Sequence, residues 1–353
     1  MKRNTNKKST NGKNVNKVKR YLMIFVACML GLLMIILLIP VITKNALRFE
    51  LNDDGTGYIV YRKSYEATKI VIPDTHRGLP VTGIGEGAFA NCLSLKSIEI
   101  PSSVTRIGEG AFNSAHLMKD VYYTGNVEEW LSITFDSERS NPMSVGDNPN
   151  LYFDEKLVTN IEIPNTIKSI PNYAFVNCHS LTSITIPDSV TSIGDGAFRN
   201  CILLTSIIIP DSVTSIGEYA FGGCDALASI TIPDSVMSIG YGAFVGCESL
   251  TSISIPNGIT VIEGNTFAGC RSLGEIIIPS GVKEIGIRAF SNCRSLKSII
   301  IPYSVQTMGE DVFEMCRSLE KIYCETNSKP SGWDDRWHGG YPSNYIIWGY
   351  INQ

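Results

Sequence analysis

Histidine is scarce. Only His76, His116, His179 and His338 occur in 353 residues, and no two stand at ligand spacing. Zinc sites need paired ligands a few residues apart, so neither these histidines nor thiols 23 residues apart form one. The chain also lacks Gly-x-Ser-x-Gly, His-Glu-x-x-His and a phosphate-cradling Gly-Lys-Ser/Thr, which removes the common hydrolase, metalloprotease and nucleotide-binding signatures. No catalytic, cofactor-binding or metal-binding residue is expected, and the chain reads as a non-enzyme. Cysteine, 10 residues, falls well short of the roughly 8–10 % of a disulfide scaffold. Acidic side chains are absent from residues 1–43, which hold eight Lys/Arg; the remainder carries 22 basic against 34 acidic groups, a net of −12. A body that acidic repels phosphate backbones, so nucleic acid is excluded as a partner of a basic surface.

Charge is also missing from Tyr21 to Thr43. At about 1.5 Å per residue, some 20 apolar residues cross a hydrocarbon core of about 30 Å. A cleaved signal peptide is the alternative, but its apolar region runs only about 7–15 residues and ends at small residues. The exit Pro40-Val41-Ile42-Thr43-Lys44-Asn45-Ala46 has no Ala-x-Ala, which favours an uncleaved signal-anchor helix over 21–43. The eight cations before it place 1–20 in the cytoplasm as a basic tail and everything from Lys44 outside.

What the chain has in abundance is a repeat. Ile-Pro pairs end at Pro164, Pro187, Pro210, Pro233, Pro256, Pro279 and Pro302, each 23 residues after the last. Phe recurs at the same step from Phe175 to Phe313, and Cys from Cys178 to Cys316. Two earlier coils share the pattern, at Phe89/Cys92 and at Phe112, where Ala115 replaces the Cys. A 23-residue period is too short for a two-helix repeat. In IPDSVTSIGEYAFGGCDALASIT, Ile209 to Thr231, the final Ser-Ile-Thr reads as a short strand with the Ile inward. Proline then ends the strand. Val and Ile form a second inward pair before a glycine turn, and Ala-Phe to Cys to Leu has the 3–4 spacing of one helical turn. The expected product is a right-handed solenoid with a parallel sheet along one face and short helical or 3-10 turns, rising about 5 Å per coil. Its organisation reads as a cap with first strands over 44–72, the solenoid over 73–323, and an aromatic cap over 324–353. One coil, 124–163, is expanded; it predicts a short helix near Val127–Ile133 and an extra strand near Leu151–Phe153.

The segments IPDSVTSIGDGAFRNC and LLTSIIIP resemble the BspA-like leucine-rich repeat. LNDDGTGYIV with IVIPDTHRGLPVTGIGEGAF resembles the usual first coil of that family. VYYTGNVEEW and IYCETNSKPSGWDDRW resemble segments that accompany it, so the likeness runs from about Phe49 to Tyr350. It implies cell-surface attachment and protein binding, and it carries no catalytic residues over.

Within this frame, each Cys reads as a small buried hydrophobe rather than a ligand or nucleophile, and the histidines as solvated surface. Asn52-Asp53-Asp54-Gly55 and Asp147-Asn148-Pro149-Asn150 read as turns rather than calcium loops. Candidate recognition surfaces are two columns. One is the outer strand face, with Ser206, Ser229, Thr231, Ser252 and Ser254 and a C-terminal part turning apolar. The other follows the Cys: Asp225, Glu248, Arg271, Arg294, Arg317, a cationic strip unless Glu248 and Arg271 pair with each other. The function expected is a non-catalytic surface binding or adhesion module for a protein or glycan ligand, displayed by residues 21–43. The competing class is a scaffolding subunit of a membrane complex.

Overall fold

In the computed structural model, residues 47–146 and 148–351 are described. The expected membrane span at 21–43 lies outside them; among the described residues, no helix is long and apolar enough to cross a membrane. The described chain winds as a parallel β-solenoid whose successive coils are joined along three columns.

The first column is the expected one. The strands Asn160–Glu162, Ser183–Thr185, Ser206–Ile208, Ser229–Thr231, Ser252–Ser254 and Glu275–Ile277 form one parallel sheet. It is in register, so that Ser206, Ile207 and Ile208 face Ser229, Ile230 and Thr231. Each strand alternates exposed, buried, exposed, which sends the middle Ile inward and its neighbours to solvent. The column resumes with Ser298–Ile301, Lys321–Cys324 and Ile346–Trp348.

The second column corrects the expectation of a sheet on one face. Ser169–Ile170, Ser192–Ile193, Ser215–Ile216 and Ser238–Ile239 form another parallel sheet, and Val261–Ile262, Glu284–Ile285, Thr307–Met308 and Gly332–Trp333 a third. The glycine that follows many of these strands is the physical cause. Gly217 donates its N–H to Ile193 O at 2.8 Å. A Cβ there would lie 2.6 Å from the Asp195 nitrogen. The missing side chain lets the coils approach closely there; Asp136 and Asp334 make the equivalent bond at the expanded coil and at the last coil, to Ile107 O at 3.1 Å and Met308 O at 2.8 Å.

The third column holds the Ala-Phe element, which is a chain of turns and not a helical turn. Cys201 N–H reaches Phe198 O at 3.1 Å within the turn, while Phe198 N–H reaches Ala220 O of the next coil at 2.8 Å. Coil-to-coil bonding takes the N–H groups a helix would use. The residue two past each Phe has positive φ, 56° at Asn177, 59° at Asn200, 70° at Gly223. Asn or Gly fills most of these positions because few other residues tolerate that region; Ser114 and Met315 are the exceptions.

Inside, the Phe rings from Phe175 to Phe313 stack nearly parallel; Phe221 and Phe244 have centroids 5.4 Å apart and Phe244 and Phe267 5.8 Å. Trp337 meets the last ring edge-on, at 6.1 Å from Phe313, and is itself buried.

The expanded coil interrupts this stack. A helix spans Val127–Leu131, opened by Asn126 whose Oδ1 accepts from Glu129 N–H at 3.1 Å while Glu129 accepts from Asn126 N–H at 2.9 Å. This reciprocal capping fixes the helix start. The strand expected nearby is Asn150–Phe153. Phe112 N–H donates to Arg139 O at 3.3 Å, so the fully buried Ser140 stands where a Phe would be. Trp130, also fully buried, fills this coil instead.

Candidate binding surfaces

On the outer strand face Ser206, Ser229, Thr231, Ser252 and Ser254 are all exposed. Registered pairing places Ser206, Ser229 and Ser252 in one row across three neighbouring strands. Other hydroxyls in the repeat are occupied: Ser212 Oγ donates to Val190 O at 2.6 Å, and Ser235 Oγ to Val213 O at 2.7 Å. Those serines hold coils together, whereas the strand-face row points to solvent. The second outer row alternates, with Ile208 79 % exposed beside Thr231. Towards the C-terminus it becomes apolar, as Ile277 follows Ser254 and Ile300, Tyr323 and Ile347 continue in register. Ile277 is 81 % exposed. A shallow groove of about 350 Å³ runs here between Glu275, Ile277, Ser298, Ile300 and Glu325.

Behind the cysteines the chain stacks as the spacing requires. Ser272 N–H reaches Glu248 O, and Ser295 N–H reaches Arg271 O, each at 3.1 Å, so Glu248, Arg271 and Arg294 occupy adjacent coils. Glu248 and Arg271 form an ion pair at 2.6 Å. Arg294 Nε donates to Asn292 Oδ1 at 2.9 Å. The strip is therefore not uniformly cationic: Arg271 is neutralised, and the field is left to Arg294 and Arg317.

Among the described residues the nine cysteines are buried and unbridged. From Cys201 to Cys316 each thiol points at the carbonyl of the Phe 26 residues earlier, 3.2 Å for Cys224 to Phe198 and 3.1 Å for Cys316 to Phe290. The sulfur is thus a weak donor as well as a hydrophobe. Burial pushes the Cys178 and Cys270 thiols up to about 12, and those of Cys201, Cys224 and Cys247 well above their ordinary value. Such thiols are protonated and unreactive.

Three histidines depart from the expected solvated surface, among them His338, partly buried with an unpartnered Nδ1 and a pKa lowered by burial. His76 stacks on Phe49 at 4.0 Å, with Tyr58 edge-on at 4.8 Å. His179, partly buried, has an Nδ1 without a partner, and burial lowers its pKa although Asp225 acts against this. In the Asn52 turn, Asp54 Oδ1 accepts from Thr56 N–H at 2.9 Å and Asn52 Oδ1 from Gly57 N–H at 3.0 Å, so its oxygens serve the turn. Asp147 lies outside the described residues.

Two features escaped the sequence reading. Tyr122 and Tyr152 stack at 4.7 Å on the N-terminal part of the strand face, with the Tyr152 hydroxyl donating to Asp120 at 3.2 Å. They lie 30 residues apart, across the expanded coil, so the 23-residue step does not relate them. Asp195, Glu218 and Glu263 line a groove of about 490 Å³ over the second strand column. The first two recur at the 23-residue step, whereas Glu263 does not.

No curated protein matches the chain. Among solved structures, a leucine-rich cell surface protein from Faecalibacterium prausnitzii is 27 % identical, covering 87 % of this chain and 97 % of its own, with TM-score 0.42. A leucine-rich repeat protein from Bacteroides ovatus is 26 % identical over 82 % of this chain and 88 % of its own, TM-score 0.38. The pneumococcal vaccine antigen PcpA, 17 % identical over 85 % of this chain and 80 % of its own, has TM-score 0.50 and shares the fold. The model of the BspA type leucine-rich repeat region matches in six copies, over residues 57–145, 147–274 and 238–332. With the registered 23-residue coils, that match shows that the chain belongs to the BspA-type leucine-rich repeat family.

Proposed function

We propose that the chain is a non-catalytic binding or adhesion module at the cell surface, held there by residues 21–43 and engaging a protein or glycan ligand through its outer strand face. The carrying observation is the row of Ser206, Ser229 and Ser252, exposed and in register. Beside it, the second outer row of Ile208, Thr231 and Ser254 leads to the apolar positions Ile277, Ile300 and Tyr323. Stacking converts one residue per coil into an extended platform with polar and apolar ends, the kind of surface by which solenoids bind. That the Faecalibacterium relative is named a cell surface protein agrees with this reading. Arg294 and Arg317 supply a secondary cationic edge suited to acidic or sulfated groups.

The test uses cells displaying the full chain, assayed for attachment to immobilised matrix proteins and glycans. Ser229→Arg with Ser252→Arg places two bulky cations in the middle of the row without touching the core. Attachment should fall at least ten-fold; undiminished attachment removes the strand face as the binding surface. Protease added to intact cells addresses the anchor separately: the repeats should be shaved off while a tail remains with the membrane.

A further inference from the structure

We propose that the expanded coil is a hinge, dividing the solenoid into two blocks, 47–157 and 158–351, that open from one another on the strand-face side.

Neighbouring coils elsewhere share backbone hydrogen bonds in at least two columns. Where the second column stops between Ser238–Ile239 and Val261–Ile262, the strands Ser229–Thr231 and Ser252–Ser254 still pair, and Phe244 N–H still reaches Thr266 O at 2.9 Å. Where the first column stops after Glu275–Ile277, Gly309 N–H reaches Ile285 O at 2.8 Å and Phe290 N–H reaches Val312 O at 3.0 Å. One interruption is always bridged by the others.

At the expanded coil all three columns stop together. Thr134–Phe135 pairs with Arg106–Ile107 on one side only, and Ser169–Ile170 only with Ser192–Ile193. Asn150–Phe153 pairs with Asp120–Tyr123 and with its own hairpin strand Lys156–Leu157, while Asn160–Glu162 pairs only with Ser183–Thr185. Among the described residues, the one backbone-to-backbone hydrogen bond between the blocks is local, Val158 N–H to Leu151 O at 2.9 Å beside the hairpin, and no coil-to-coil ladder joins them.

Apart from that local bond, what crosses is side chain. Trp130 Nε1 donates to Ala174 O at 2.8 Å, Asn141 Nδ2 to Tyr173 O at 2.8 Å, and Asn177 Nδ2 to Met143 O at 3.0 Å. Arg199 reaches back over a coil to Glu138 at 2.8 Å. Every one of these bonds is on the Ala-Phe side of the coil. On the strand face the same junction is an open groove of about 490 Å³ between Phe153 and Asn160–Glu162. Bonds gathered at one edge and a gap at the other define a pivot. In a quasi-one-dimensional stack each interface sets the local cooperativity, so an interface without a backbone ladder is where the array divides into separately opening units. The strand-face serines 206–254 and the Arg column all belong to the second block, so under the binding reading above the hinge aims that block relative to the membrane-proximal one.

Hydrogen exchange of the full chain by mass spectrometry, at a series of urea concentrations below global unfolding, tests this without any variant. Two sets of amides should lose protection at different urea concentrations, with the change falling between Phe153 and Asn160. Trp130→Phe deletes one crossing donor together with part of the buried ring volume. It should increase the population of the opened state at least roughly five-fold, the factor one net hydrogen bond is worth, with the lost ring volume acting in the same direction. Ser212→Ala deletes a coil-to-coil bond inside the continuous ladder and should leave the boundary unchanged. A single loss of protection across residues 58–324, or a boundary elsewhere such as Ile239–Val261, overturns the proposal. Because the readout involves no ligand, it stands or falls independently of the binding reading.

Discussion

At the scale of single residues, three positions separate what packing requires from what it tolerates. Phe244 is fully buried between Phe221 and Phe267. Phe244→Ala opens a void shared by two coil interfaces and should cost about 3–5 kcal/mol. The midpoint of the urea transition of its own block is the quantity to follow, because a repeat array need not unfold in one step; a loss under about 1 kcal/mol would mean the ring column is not core. Gly217 and Gly274 make a sharper comparison. A Cβ at Gly217 meets the Asp195 backbone nitrogen at 2.6 Å, whereas at Gly274 nothing lies within 4 Å. Gly217→Ala must push two coils apart and should destabilise by about 1–3 kcal/mol. Gly274→Ala only restricts the unfolded chain and should be neutral or stabilising by up to about 1 kcal/mol. Equal effects would show that coil approach does not depend on the glycine. Which residues point inward was plain from the sequence, because Ser229-Ile230-Thr231 repeats with period two. That the Cys thiols aim at Phe carbonyls was not, because their direction depends on a turn whose backbone the spacing alone does not determine.

At the scale of the element, the strand repeat was legible and its neighbour was not. Ser206–Ile208 and its equivalents announce themselves by alternation and a closing proline. Ser215–Ile216 has only two residues, too few to show alternation, and its pairing depends on the absent side chain of Gly217 in the same coil. The Ala-Phe turn has the spacing of a helix, but its N–H groups bond the next coil, a competition between local and stacking partners that no single-coil pattern reveals. The helix Val127–Leu131 was legible because Asn126 and Glu129 form a local capping pair, and the division of the stack was not, since it arises from bonds that fail to form. The arginine column shows the same limit. Its recurrence placed Arg271, Arg294 and Arg317 on successive coils, while the Glu248–Arg271 pair at 2.6 Å decides their field. Both partners are 43 % exposed, so the pair itself adds little stability. Glu248→Gln should therefore leave the unfolding midpoint nearly unchanged yet free Arg271, strengthening binding to a heparin-like polyanion a few-fold at low salt. Arg294→Ser with Arg317→Ser should weaken it. Binding that survives about 0.15 M salt reflects forked contacts rather than diffuse attraction. Indifference of polyanion binding to all three substitutions would remove the column as a site.

At the scale of the whole molecule, the stack multiplies whatever a single coil does, and the thiols make this measurable. Cys178, Cys201, Cys224, Cys247 and Cys270 occupy consecutive coils, each buried with its pKa raised from 9.0 by loss of water. The folded chain therefore keeps these protons while the unfolded chain begins to release them near pH 9. Above that pH the unfolded state binds fewer protons, so stability declines as pH rises, and continues to decline until the folded thiols ionise at about 12 or beyond. Each thiol contributes a slope of about 1.4 kcal/mol per pH unit once its unfolded form is ionised. Partly buried tyrosines such as Tyr219, raised for the same reason, act in the same direction at higher pH. The urea midpoint of the second block should be flat from pH 7 to 8 and fall steeply above pH 9. Cys224→Ala with Cys247→Ala removes two of the five protons and should make the fall shallower, even though each variant loses some packing at neutral pH. The slope, not the starting stability, carries the information, because packing losses do not depend on pH. A midpoint unchanged up to pH 10.5 would mean that water reaches the thiols in the native state, and the stacked interior described for these coils would have to be abandoned.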